Sequence, residues 1–184
     1  TLSLDITAKT FPAWPFACKL TLEVSIGDRL AVTFSVTNQA DRPFVSAAAL
    51  HSYFSVDGID QVLVSGLDQI DYIDSLREWQ AFTQVGAVSI NQEVDRIYQD
   101  VPHQVILHDG KALRNIVLTQ HNAPSLVFWN PWIEKSRKLS CFGDTDYQKM
   151  LCLETGRVLS HYQVVAAGQS EEFSIVIESQ AQTR

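Results

Sequence analysis

Short runs in which apolar and polar residues alternate recur at intervals of roughly ten residues, and this rhythm constrains the chain more than any other feature. The clearest run is 29–38, where Leu30, Val32, Phe34 and Val36 fall on one face of a strand and Ala31, Thr33, Ser35 and Thr37 on the other. A similar run at 16–26 precedes it, and Gly27-Asp28 between them reads as a hairpin turn. Further strand signals are QVLVSGL (61–67), DYID (71–74), AVSI (87–90), DRIYQDV (95–101), HQVILHDG (103–110), RNIVLTQ (114–120), SLVFW (125–129) and EEFSIVIES (171–179). AALHSYFSV (48–56) reads as one apolar strand with His51 near its middle, and Leu50, Tyr53 and Phe54 as its core residues. Many short strands separated by turn signals specify an all-β, antiparallel sandwich. The one helix-like stretch is DTDYQKM at 144–150, which Asp144 caps, and 131–143 reads as an ordered loop.

At 184 residues the chain supports one sizeable core, so 1–184 is read as a single domain. Its 14 basic and 21 acidic residues leave a net charge of -7, which argues against nucleic acid or an anionic membrane as partner. No apolar run approaches the ~20 residues that span a bilayer, and the N-terminus has no basic segment of signal type. Cys18, Cys141 and Cys152 are odd in number and widely spaced, with no metal-ligand pattern, so reduced thiols, a cytoplasmic location and no metal or other cofactor are expected. Thr1 opens directly in strand-like sequence without a methionine, as a piece cut from a longer chain would.

Four stretches stand out from this background: ALHSYF (49–54), EVDRIY (93–98), FWNPWIEK (128–135) and MLCLETGR (150–157). In the last, Glu154 follows the apolar run Met150–Leu153. Such a carboxylate either faces outward, pairs with Arg157, or is buried with a raised pKa that suits a general base. His51 is either a satisfied structural histidine or a proton carrier for near-neutral pH. His103, His108, His121 and His161 lie in or beside polar turns and read as solvated. Trp129 and Trp132 flank an Asn-Pro turn, and either fill the core or offer indole faces, beside the Asn130 amide, to the C–H face of a sugar. Asp95 either pairs with an arginine or accepts hydrogen bonds from substrate hydroxyls.

Taken together, DRPFVSAAALHSYFSV, VSGLDQIDYIDSL, NQEVDRIYQDVP, VFWNPWIEKSRKLSCFGDTDYQKMLCLETGRV and VVAAGQSEEFSIVIES resemble the hexose-6-phosphate mutarotases. These are the glucose-6-phosphate 1-epimerase-like members of the aldose 1-epimerase superfamily, and the phrases occur in family order over nearly the whole chain. The resemblance implies an antiparallel β-supersandwich of galactose mutarotase-like type, lacking its N-terminal part, with 1–184 as its C-terminal two-thirds. It implies His51 as general acid, Glu154 as general base, and Asp95, Trp129 and Asn130 as residues that bind a sugar or sugar phosphate. A carboxylate and an imidazolium on opposite sides of the anomeric carbon would open and reclose the ring without metal or nucleotide. The family also carries an earlier histidine motif of the form HGxAR and basic phosphate-binding residues, which these residues do not include. A monomer is expected of the full-length protein and self-association of a lone fragment. The alternatives are a carbohydrate-binding β-sandwich without turnover and, ranked last, a glycoside hydrolase remnant using Glu154 with Asp95.

Overall fold

The computed structural model describes residues 1–7 and 9–182. Along the chain run β1 (Leu2–Ile6), β2 (Cys18–Ile26), β3 (Leu30–Asn38), β4 (Phe44–Ser46), β5 (Ala48–Leu50), β6 (Tyr53–Ser55), β7 (Val62–Ser65) and β8 (Asp71–Asp74). Then come β9 (Gln80–Thr83), β10 (Val94–Gln99), β11 (Gln104–Asp109), β12 (Arg114–His121) and β13 (Ser125–Asn130). The short helix α1 (Trp132–Ser136) leads to β14 (Met150–Arg157), β15 (Gln163–Val165) and β16 (Ser170–Ala181). All strand pairs are antiparallel.

These strands form two large sheets and a ribbon. One sheet runs β1-β2-β3-β16-β12-β11-β7; the other runs β5-β14-β13-β10-β8-β9, with β6 also paired to β14; β15 and β4 make the ribbon. Between the large sheets lies a core that includes Tyr98, Phe128, Leu107, Leu118, Leu126, Leu151, Leu153 and Ile175, all wholly buried. Alternation puts every second residue of the central strands, such as Leu126 and Phe128 on β13 and Leu151 and Leu153 on β14, into this core. The architecture is the all-β antiparallel sandwich expected.

One end of the first sheet is left open. Leu2 lies beside Leu22, Leu22 beside Phe34 and Phe34 beside Phe173, so these residues share the face on which Ile175 is buried. Yet Leu2, Leu4, Val24 and Ile26 on that face are 69%, 48%, 42% and 82% exposed. A smaller cluster closes the far corner: Cys18, Val36, Phe44 and Val165 with Trp14 and Phe16 packed on them.

Several local readings need correction. AVSI contributes only one isolated bridge, Val88 to Val64, rather than a strand. The supposed loop 131–143 begins with α1, and 144–150 holds a single 3-10 turn, Asp146–Lys149, whose N-cap residue is Thr145 with no side-chain cap. His108 is half-buried on β11 between Ser65 and Asn115, at 2.8 and 2.9 Å. His161, likewise half-buried, meets Asp100 and Gln99 at 3.0 and 2.9 Å. The most consequential correction concerns 48–56, which is two strand pieces and not one.

Candidate active site

The break in 48–56 comes just after a close approach of β5 to Gly156. This residue lies opposite Ala49 across the β14–β5 pair, and a β-carbon on it would run into the Ala48 carbonyl and the Ala49 backbone. Only glycine lets β5 press so closely onto β14. The chain then folds through a three-residue turn, with the Ser52 amide donating to the Leu50 carbonyl at 2.8 Å, before β6 resumes pairing with β14. His51 is the middle residue of that turn, so its ring leaves the pleat and is 51% exposed. It is not a core residue, and neither is Tyr53, which is 60% exposed.

Strand parity supplies the other groups. On β14, Leu151 and Leu153 enter the core, so Cys152 and Glu154 face the opposite side. The register then sets Tyr53 and Trp129 beside Cys152, Val127 beside Glu154, and Asp95 beside Trp129. The His51 Nδ1 atom lies 3.2 Å from Glu154 Oε1, whose side chain is only 12% exposed. The His51 ring stacks on Tyr53 with centroids 4.6 Å apart and planes 5° from parallel, and meets the Trp129 edge at 6.1 Å. Imidazole and carboxylate touch directly, rather than facing each other across a gap.

The electrostatics favour a carboxyl group poised near neutrality. Burial, and then the charge of Asp95, push the Glu154 carboxyl from 4.5 up to about 7. Burial raises the Tyr53 phenol, and the neighbouring Cys152 and Glu154 raise it further. The Cys152 thiol is pushed up strongly, by burial first and the Glu154 charge second. His51, Cys152 and Glu154 offer donor atoms within 4.8 Å of one another, the only such three-donor group among the described residues.

The remaining expected site residues divide. Asp95 and Trp129 share the open face with Glu154, both half-buried. Asn130 points the other way and is wholly buried. Its amide donates to the Tyr147 and Met150 carbonyls at 2.9 and 2.8 Å, and its oxygen accepts from the Trp132 amide at 2.9 Å. With these bonds made, Asn130 anchors α1 and does not meet a ligand. Trp132 packs on Tyr147 and the core.

Two residues escaped sequence reasoning. Tyr53 was placed in the core, although its spacing of two from His51 was a signal that both could share a face. Lys135 has its ammonium 3.5 Å from Glu93, 4.0 Å from Asp95 and 5.8 Å from the Trp129 ring centroid. Finding it required the helix that the loop reading of 131–143 concealed.

An antiparallel sandwich with an imidazole–carboxylate pair and an indole on one open sheet face suits a protein that handles sugars, and sequence comparison narrows the class. The aldose 1-epimerase family model matches residues 1–178, so the chain belongs to that family. It is 36% identical over 150 residues to a candidate glucose-6-phosphate 1-epimerase of Cenchrus ciliaris, covering 79% of this chain and 46% of that one. A Haemophilus influenzae protein of the same description is 41% identical over 111 residues, 60% of this chain and 39% of its own. Among solved structures, the candidate mutarotase YeaD of Salmonella typhimurium superposes with a TM-score of 0.89 at 24% identity, over 98% of this chain and 59% of that one. The chain thus spans less than half the length of the two sequence relatives. The YeaD likeness establishes the shared galactose mutarotase-like fold.

Proposed function

We propose that this site interconverts the α and β anomers of a hexose 6-phosphate by acid–base opening and reclosure of the ring. The observation that carries this reading is the direct His51–Glu154 contact, with the carboxyl pushed up to about 7. A base is most useful when its pKa lies near the working pH, since it is then both ionised and able to hold the proton it takes. Glu154 removes the proton from the anomeric hydroxyl, and His51, as imidazolium, delivers one to the ring oxygen. The ring C–O bond breaks as the aldehyde C=O forms. Rotation about C1–C2 and reversal of both transfers close the ring on the other face. Atoms and protons balance without cofactor.

Because the two groups touch in the free protein, the sugar enters by replacing their mutual contact with contacts to its own oxygens. Their attraction is therefore lost on binding, and Asp95 and the Trp129 indole supply compensating contacts to hydroxyls and to the C–H face. The substrate assignment is supported by the descriptions of the two sequence relatives.

Saturation-transfer NMR of glucose 6-phosphate tests the reading. The wild-type chain is expected to exchange the anomers faster than the spontaneous rate, and Glu154→Gln to abolish the excess while still binding sugar. Sugar binding without excess exchange in the wild type would instead make this chain a carbohydrate-binding β-sandwich.

A further inference from the structure

The open face carries three carboxylates, Glu93, Asp95 and Glu154, around one indole. Glu93, just before β10, and Asp95, on it, are two residues apart, and both reach the Lys135 ammonium. Two carboxylates this close repel each other unless a cation lies between them. Lys135 answers both carboxylates at once. Its ammonium is 3.5 Å from Glu93 Oε1 and 4.0 Å from Asp95 Oδ2 while lying over the Trp129 ring, and the side chain is still 38% exposed. The three N–H donors of an ammonium are enough for two carboxylates and one ligand oxygen.

The placement of Lys135 is built rather than incidental. The wholly buried Asn130 accepts from the Trp132 amide and so fixes where α1 begins; Trp132 adopts a φ of 53°, which turns the chain sharply off β13. The Ser136 hydroxyl donates to the Trp132 carbonyl and ties the last residue of α1 to its first. Lys135 therefore projects from a braced helical turn onto the rim of the site. Its neighbour Arg137 does not share this role, since it pairs with Glu134 at 2.9 Å.

We propose that Lys135 is the positioning residue of the sugar subsite: it holds Asp95 to receive hydroxyls over the Trp129 ring and moderates the negative charge that Glu154 experiences. This deepens the epimerase reading and rests on it for the identity of the sugar. Glu154 is faced by His51 from the β5–β6 turn, Tyr53 from β6, Cys152 on its own strand and Asp95 from β10, with Glu93 and Lys135 beyond Asp95. Lys135 is the cation of that group, apart from a protonated His51. Removing it leaves Asp95 and Glu93 uncompensated, which holds the proton on Glu154 to higher pH.

The test compares wild type, Lys135→Met and Lys135→Arg. Glucose 6-phosphate affinity is read by ligand-observed NMR and the Glu154 carboxyl titration by ¹³C NMR, neither of which needs turnover. Lys135→Met is expected to weaken binding about tenfold, the scale of one charge-assisted hydrogen bond. It should also move the Glu154 midpoint upward with little change in Tm, and Lys135→Arg should restore both. The proposal is overturned if Lys135→Met binds and titrates as wild type does, if both changes come only with loss of the fold, or if the wild type binds no hexose phosphate. Weakened binding and a raised Glu154 midpoint in Lys135→Met, both restored in Lys135→Arg, in a chain that shows no excess anomer exchange would sink the epimerase reading and leave Lys135 in its role.

Discussion

The two faces of β14 carry different chemistry on one backbone. Leu151 and Leu153 are wholly buried in the apolar core, whereas Cys152 and Glu154, one residue along, lie beneath His51, Tyr53 and Trp129. The same backbone hydrogen bonds hold both sets. One face stabilises by removing hydrocarbon from water; the other tolerates an expensive buried carboxylate because that is what tunes it. The comparison teaches that parity along a strand separates folding from function here. Perturbing one face should therefore leave the other's signature intact.

The largest expected effect falls on the open face. His51→Asn keeps a polar hydrogen-bonding side chain but removes the ionisable proton carrier, so anomer exchange should fall by about 10²–10⁴-fold while the melting curve barely moves. A large drop in Tm would mean that His51 is structural after all. On the opposite face, Leu153→Ala should cost about 2–5 kcal/mol in urea unfolding, with no change in the pH at which the surviving folded protein works. A shifted pH profile in that variant would break the separation of faces.

Smaller in size but sharper in diagnosis is the linkage of Glu154 to folding. Its folded pKa, about 7, lies above its ordinary value of 4.5. Between those pH values the native state holds a proton that the unfolded state has released, so this group's contribution to stability declines as pH rises through the window. Glu154→Gln has no charge to bury. It should match wild type near pH 4 and exceed it by about 1–3 kcal/mol above pH 7, and equal stabilities at both pH values would show that the carboxyl is not strained by burial. The smallest effect belongs to the open end of the first sheet. Ile26 shares the inward parity of Ile175 but is 82% exposed, so Ile26→Lys should alter stability by no more than about 0.5 kcal/mol. A loss comparable to Leu153→Ala would show that something covers that face in solution.

The sequence made the strands legible because parity is local. Residues 71–74 are a strand to the residue, as read, the apolar run 150–153 opens the longer strand β14, and the β2–β3 hairpin turns at Gly27. What it concealed depended on contacts between distant segments. The close approach of β5 to β14, just before the turn that ejects His51, requires Gly156, more than a hundred residues later. Asn130 looked like a ligand for sugar because an amide beside tryptophans suits one, and only the register shows its side chain on the core side, bonded to Tyr147 and Met150. Lys135 was invisible because α1 is five residues long, too short for helical periodicity to declare itself.

The measurement that bears most directly on this account is the rate of glucose 6-phosphate anomer exchange against pH, with the spontaneous rate subtracted at each point. If a carboxyl raised to about 7 is the base, the excess rate rises with pH along a limb whose midpoint lies near 7, and Glu154→Gln shows no such limb. An excess rate that is flat from pH 5 upward, or that survives in Glu154→Gln, would contradict the assignment of Glu154 as the base.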